Sequence, residues 1–409
     1  EMKICLVSLI LLYPTNKIFT LKLQTQNTPT KSVFYVNFIH TKDSNYEKKT
    51  HAINYDEDLE DKDKFFIQYN NIPIGFEVYE DAVFITVPRR RFGIPSTLNC
   101  VSRHGSSPLL KPYPDTNCGD LVSVYRPRVD SCNRLWMVDT GLLEVPDARR
   151  QVQPPSIVIY DLKTKQRLLK YELKPNNLLS NRTSGGLTSI TVDVDSSSCN
   201  DAYAYINDLA TETMIVFSLK DKDSWSIEHG SFKHDEDSLN FTVADYVIPW
   251  KDGLFSIAVS DPDRHGRKKV YYHPLVSTQE FYVYAADLKN KIAEGTRGPK
   301  TQSGSHAYHS GTRTLIFANI AQDAILCWNV DLPLTPEHIA IIAQDHEKLV
   351  YIADLKIHGD DVWVLVNQIP RFVFSTLDPK EDNFFVHKGS IPEMIKGTPC
   401  DQPRKKWPK

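Results

Sequence analysis

Short apolar runs, each ending in a polar or Gly/Pro turn, recur along this chain. The six strongest are Ala82 to Val87, Leu135 to Val138, Ala202 to Ile206, Leu254 to Val259, Leu315 to Ala318 and Val362 to Val366. Their starts lie roughly 50 to 70 residues apart, a period that points to propellers, solenoids or arrays. Weaker strand patterns fill the intervals, among them Ser156 to Leu162, Leu168 to Leu173, Thr213 to Leu219 and Phe281 to Ala285. Four short strands per repeat is the make-up of a propeller blade, and radial closure protects the sheet edges. A continuously apolar stretch such as Ile157-Val158-Ile159 suits a blade packed between two neighbours. Helical periodicity is limited to short stretches such as Thr335 to Ala343. The predicted fold is all-β, a six-bladed β-propeller forming a single domain over residues 65–401. A large two-sheet sandwich fits six recurrences poorly.

The ends of the chain read differently. Met2-Lys3 followed by the uncharged Ile4 to Leu12 has the form of a secretory signal peptide, too short to span a bilayer. We assign it to residues 1–20. Residues 21–64 form a polar, solvated leader that runs into a first strand near Phe65 to Tyr69, and residues 402–409 form a basic tail. Export agrees with the cysteines. Cys5 leaves with the signal, and Cys100, Cys118, Cys132, Cys199, Cys327 and Cys400 remain. An even number without Cys-x-x-Cys spacing suits disulfides in an oxidising compartment, with the pairing open. Asn181 and Asn240 each begin an Asn-x-Thr acceptor for glycosylation. The expected location is extracellular.

Charge excludes some partners. With 48 basic against 51 acidic residues, nothing favours nucleic acid, and no membrane contact is expected once the signal is removed. Phosphate loops, nucleophile elbows, zinc-protease motifs and dinucleotide fingerprints are missing, so no cofactor and no metal are expected. The expected partner is a small-molecule ligand; the oligomeric state is not readable.

In a propeller the loops at one channel mouth usually build the site. The polar residues following the apolar runs are the first candidates: Asp139, Asn207, Asp208, Asn319, Asn367 and Gln368. Asn offers donors and acceptors at fixed positions, although Asn and Asp also favour turns for local reasons. Further chemistry could come from His273 or from His306-Ala307-Tyr308-His309, read as a loop before a strand.

An ordered series of segments resembles the insect Yellow/major royal jelly protein family. It includes Val87-Pro88-Arg89, Phe92 to Leu98, Ser107 to Pro114, Arg134-Leu135-Trp136-Met137-Val138-Asp139-Thr140-Gly141 and Tyr272-His273-Pro274-Leu275. Asp323 to Asn329 and Gly397-Thr398-Pro399-Cys400-Asp401 complete it. The resemblance implies a secreted six-bladed propeller. It also implies disulfides Cys132–Cys199 and Cys327–Cys400, with Cys100 and Cys118 left to pair. Amine-binding salivary members of the family place an Asn-x-Phe after the last inner strand. Asn367 matches that Asn, Ile369 stands where they have Phe, and Phe372 is the nearby aromatic. Their Thr position falls at Ile352 or Ala353. Three functions follow. The leading one is binding of an aromatic, amine or lipid-like ligand in the channel. The others are dopachrome conversion in the melanin pathway, and a structural or storage role without a dedicated ligand. A calcium-dependent lactonase site lacks its acidic residue, because Val87-Pro88-Arg89 occupies that stretch.

Overall fold

Five of the six strongest apolar runs form the second strand of a blade, and only Leu254–Val259 lines the channel. The reason is burial. A second strand is covered on both faces by neighbouring blades, so its middle positions are mostly apolar, whereas a channel strand must also satisfy the polar interior of the ring. The computed structural model describes residues 30–35, 67–91, 93–103, 110–114, 121–143, 150–178, 183–288, 292–378 and 381–403. The expected signal peptide, Cys118, Asn181 and most of the basic tail lie outside them.

Six four-stranded antiparallel sheets form the blades of a propeller. The channel strands are Gly75–Tyr79, Arg128–Val129, Leu187–Asp193, Leu254–Val259, Ser303–His309 and Ile352–His358. The second strands are Ala82–Thr86, Arg134–Asp139, Tyr203–Asp208, Lys269–Pro274, Thr314–Asn319 and Asp361–Val366. Apolar clusters fill the seams between blades. Trp136 and Phe217 meet between blades two and three, and Tyr271 and Trp328 between blades four and five.

Three expectations are corrected. Part of the presumed solvated leader, Thr30–Tyr35, is a strand that pairs with Phe385–Ser390 as the outermost strand of blade six. The ring is thus closed by joining the two ends of the chain. The stretch at Gln68–Asn70 is a 3-10 turn, and the first blade begins at Gly75. The helical pattern at Thr335 to Ala343 resolves into a 3-10 turn, Pro336–His338, and the outer strand Ile339–Gln344. An outer strand is buried on one face only, which leaves Ile341 exposed and imitates helical spacing. Cys132–Cys199 joins blades two and three, and Cys327–Cys400 ties blade five to the C-terminal segment. Cys100 carries a free thiol.

Around the channel each blade is bonded to the next. Val129 N donates to Glu77 Oε2, Arg126 Nη1 to Thr188 O and Thr191 Oγ1 to Ile257 O. His306 N donates to Ser256 Oγ, Ser305 Oγ to Asp354 Oδ1 and Phe76 N to Asp354 Oδ2. Asp354 also pairs with the buried Lys356 ammonium at 3.2 Å. Removing that carboxylate leaves a buried cation and three donors, Phe76 N, Ser305 Oγ and Leu355 N, unpaired. Asp354→Ala is expected to destabilise the fold by about 3–5 kcal/mol, read as a lower urea midpoint. A midpoint within error of the parent would show the bond ring to be dispensable.

Candidate functional site

Second-strand ends and channel-strand starts meet at one mouth, here called upper; channel-strand ends meet at the lower mouth. At the upper mouth the sequence candidates are joints between segments. Asp139 accepts from the backbone N–H groups of Val122, Ser123 and Gly141 at 2.8, 2.8 and 3.0 Å. Asn207 donates to Thr188 Oγ1 and Leu254 O and accepts from Ser189 Oγ. Asn319 and Asn367 donate to Lys300 O and Pro73 O, and each accepts from backbone N–H groups two or three residues on. Asp208 closes a turn through Ala210 N and Thr211 N, and Gln368 binds Asn383 O and Arg371. Ile369 opens the short helix Ile369–Phe374 with its side chain in the core. Phe372 packs on Tyr69, and the Arg91 guanidinium lies 4.0 Å from its ring centre. These groups are spread over four blades and bound to their own fold, so they form no common cage.

The lower mouth is different. A pocket of about 460 Å³ opens there, lined by Arg128, Thr191, Val259, His306, His309 and Asp360 among others. His309 ends the channel strand of blade five, and Asp360 sits in the tight turn after that of blade six. His309 Nε2 lies 3.1 Å from Asp360 Oδ1, and Nδ1 lies 2.8 Å from Thr312 Oγ1. A carboxylate only accepts, so Nε2 carries the proton and the Thr312 hydroxyl donates to Nδ1. Side-chain exposure is 4% for His309 and 76% for Asp360. The imidazole is therefore held from behind while the carboxylate is open to a ligand. Burial pushes the Tyr308 phenol on the same wall up to about 12, which keeps it a donor.

Behind this wall lies a sealed cluster. His273 Nδ1 is 2.9 Å and Arg297 Nη1 2.7 Å from Glu280 Oε2, while His273 Nε2 faces Gly304 O at 2.8 Å. Both ring nitrogens of His273 thus face acceptors. Burial pushes the Glu280 carboxyl up, but His273 and His306 outweigh it and bring it to about 2. His273, Glu280 and His306 have ligating atoms within 4.8 Å of one another. A divalent ion would nevertheless face the Arg297 charge on the same carboxylate, so the set suits a buried ion-pair network better than a metal centre.

The match to known sequences now decides the family. Residues 122–400 match the family described as Major royal jelly protein. The chain belongs to that family. Among its relatives, L-dopachrome tautomerase yellow-f of Drosophila melanogaster is 37% identical, over 82% of this chain and 83% of that protein. Dopaminechrome tautomerase of the same fly is 29% identical, over 82% and 78%. Protein yellow, also from Drosophila melanogaster, is 32% identical over 82% of this chain and 65% of its own length.

The family's landmarks are largely structural in this member. Tyr272-His273-Pro274-Leu275 places His273 in the sealed cluster, and Arg134 and Trp136 both bond the buried Asp130 carboxylate. His306 and His309, expected in a loop, sit on the channel strand of blade five. Sequence reasoning named neither Arg128, Glu280, Arg297 nor Asp360 as site residues. They come from three blades, and no local spacing links them. Asn240, which begins the Asn-x-Thr sequence within the described residues, is exposed.

Two outcomes follow. Asp139→Asn places an amide against three N–H donors and is expected to cost about 1–3 kcal/mol of stability. Specific activity per folded molecule should be unchanged; its loss at unchanged melting temperature would instead make Asp139 a reacting group. Burial pushes the imidazoles of His306 and His387 down to about 4. Between that value and about 6.5 the unfolded chain takes up protons that the folded chain refuses, so stability falls as the pH falls. Urea midpoints should decline from about pH 7 to about pH 5; a rise would reverse the assigned direction.

Proposed function

We propose that this chain is a tautomerase of aminochromes, the cyclised quinonoid products of catechol amine oxidation, acting in the lower-mouth pocket. The observation that carries the reading is the His309–Asp360 pair, held by two blades and open to the pocket on its carboxylate side. Its support in reaction class is the likeness to a relative named L-dopachrome tautomerase over most of both chains.

Conversion of an aminochrome to its dihydroxyindole moves two protons, one from each saturated ring carbon to a quinonoid oxygen, in two like steps with no oxidant, reductant or cofactor. In each, a C–H bond of a saturated ring carbon breaks, and its electron pair becomes the new ring double bond. A quinonoid oxygen takes up a proton and becomes a phenol. The enzyme must therefore supply a base and an acid on one bound ring. The exposed Asp360 carboxylate takes the carbon-bound proton, and His309 Nε2–H steadies it and exchanges protons with it. Tyr308, kept protonated by burial, supplies a donor toward the developing oxyanion. The apolar parts of Ala258, Val259 and Ile357 offer a surface for the flat ring. The two disulfides support work in an oxidising, extracellular setting.

The test is loss of the visible absorbance of freshly prepared L-dopachrome with the full chain. Decay should exceed the buffer rate, and Asp360→Asn should lower kcat by about 10²–10⁴-fold while leaving the melting temperature unchanged. Decay of the parent protein at the buffer rate, or an Asp360→Asn variant as fast as the parent, ends the proposal. Ligand binding without turnover, the leading expectation from sequence, would appear as heat of binding with decay at the buffer rate.

A further inference from the structure

Arg128 lies on the pocket wall. Among the described residues its guanidinium has no hydrogen-bond or ion-pair partner, and its Nε is buried without an acceptor. A buried donor of this strength needs an acceptor. The nearby acids are already used. Glu77 accepts from Val78 N and Val129 N, and Asp354 accepts from Phe76 N, Ser305 Oγ and Leu355 N and pairs with Lys356. Arg126 is bonded to carbonyl oxygens alone. Arg126, Arg128 and Lys356 thus lie along the channel with Glu77 and Asp354, whose oxygens already serve other donors. The remaining lining carboxylate, Asp360, is engaged by His309.

We infer that Arg128 is a specificity-determining residue that binds the carboxylate of an aromatic ring acid, so that the pocket prefers aminochromes retaining the carboxylate of their parent amino acid over decarboxylated ones. A planar guanidinium matches a carboxylate with two parallel N–H donors and discriminates geometry as well as charge. The terminal guanidinium nitrogens, which have no partner among the described residues, would supply those two donors. The inference rests on the pocket being the aminochrome site, but its binding test does not require turnover.

The test is calorimetric titration of the full chain with indole-2-carboxylate and with its neutral isostere, indole-2-carboxamide. The carboxylate should bind at least about tenfold more tightly, and added salt should weaken it alone. Arg128→Gln should remove the difference, and Arg128→Lys should restore part of it, since lysine offers a point charge without the fork. Should Arg128→Gln fail to fold, the salt dependence and the Arg128→Lys variant still decide. Equal binding of the two probes, binding of neither, or a preference that survives Arg128→Gln overturns the inference. A carboxylate preference without dopachrome turnover would sink the tautomerase reading and leave this one standing. Turnover of carboxylated and decarboxylated aminochromes at equal kcat/KM, unchanged in Arg128→Gln, would do the reverse.

Discussion

The Asp354 carboxylate and the Arg126 guanidinium hold the ring in register. Apolar packing between blades is non-directional, so it presses neighbouring sheets together without fixing how far one has slid past the next. Directional bonds between channel strands set that offset. Asp354 takes donors from blades five and one and from its own strand. Arg126 leaves blade two, bonds Thr188 O of blade three and Ala353 O of blade six, and lies 4.6 Å from the Phe255 ring of blade four. One side chain therefore touches three other blades across the channel.

Filling the channel in this way has a functional consequence. Charged groups buried along the axis must keep their partners, because a lost partner leaves a charge in a poorly solvating interior. The middle of the tunnel is thus committed to structure. The upper mouth is packed as well: Trp250 meets Tyr351 and Phe374, and Tyr246 stacks on Phe374. Among the described residues a pocket opens at the lower mouth, where channel strands end and their side chains are released from the bond ring. Arg128, His309 and Asp360 all stand at such ends.

The architecture was legible because its signal is local. A second strand buried on both faces must be apolar through its middle, and five of the six runs marked one blade each. The channel strands follow a different rule. They carry Glu77, Asp354 and Lys356, and a short polar strand such as Arg128–Val129 leaves little trace in hydropathy. Blade six shows a second limit. Its outer strand, Thr30–Tyr35, lies some hundreds of residues from its partner Phe385–Ser390, and only the closed ring explains the pairing. The disulfides implied by family resemblance formed as expected where both cysteines are described. Candidate site residues fared differently, because a polar residue after a strand serves a turn and a ligand equally well on paper. Asn207 and Asn367 prove to be inter-blade clasps, and the pocket groups belong to strands that had no strong signal.

Site and scaffold meet in the seam between blades five and six. Ser305 bonds Asp354 near the middle of the two channel strands, and His309 meets Asp360 where those strands end. From Ser305 to His309 is four residues, and from Asp354 to Asp360 is six, the extra length being taken up by the turn at Gly359. The left-handed backbone at Gly359 lets that turn stay tight, so Asp360 folds back toward blade five. A slip between the two blades by one residue at the Ser305–Asp354 bond would carry His309 about 3.3 Å along the seam from Asp360 and separate the pair. The buried bond that fixes blade register therefore also fixes the geometry of the proton-transfer pair. Residues facing the pocket can vary around that pair without touching the bonds that close the ring, which is how one propeller can host members with different chemistry.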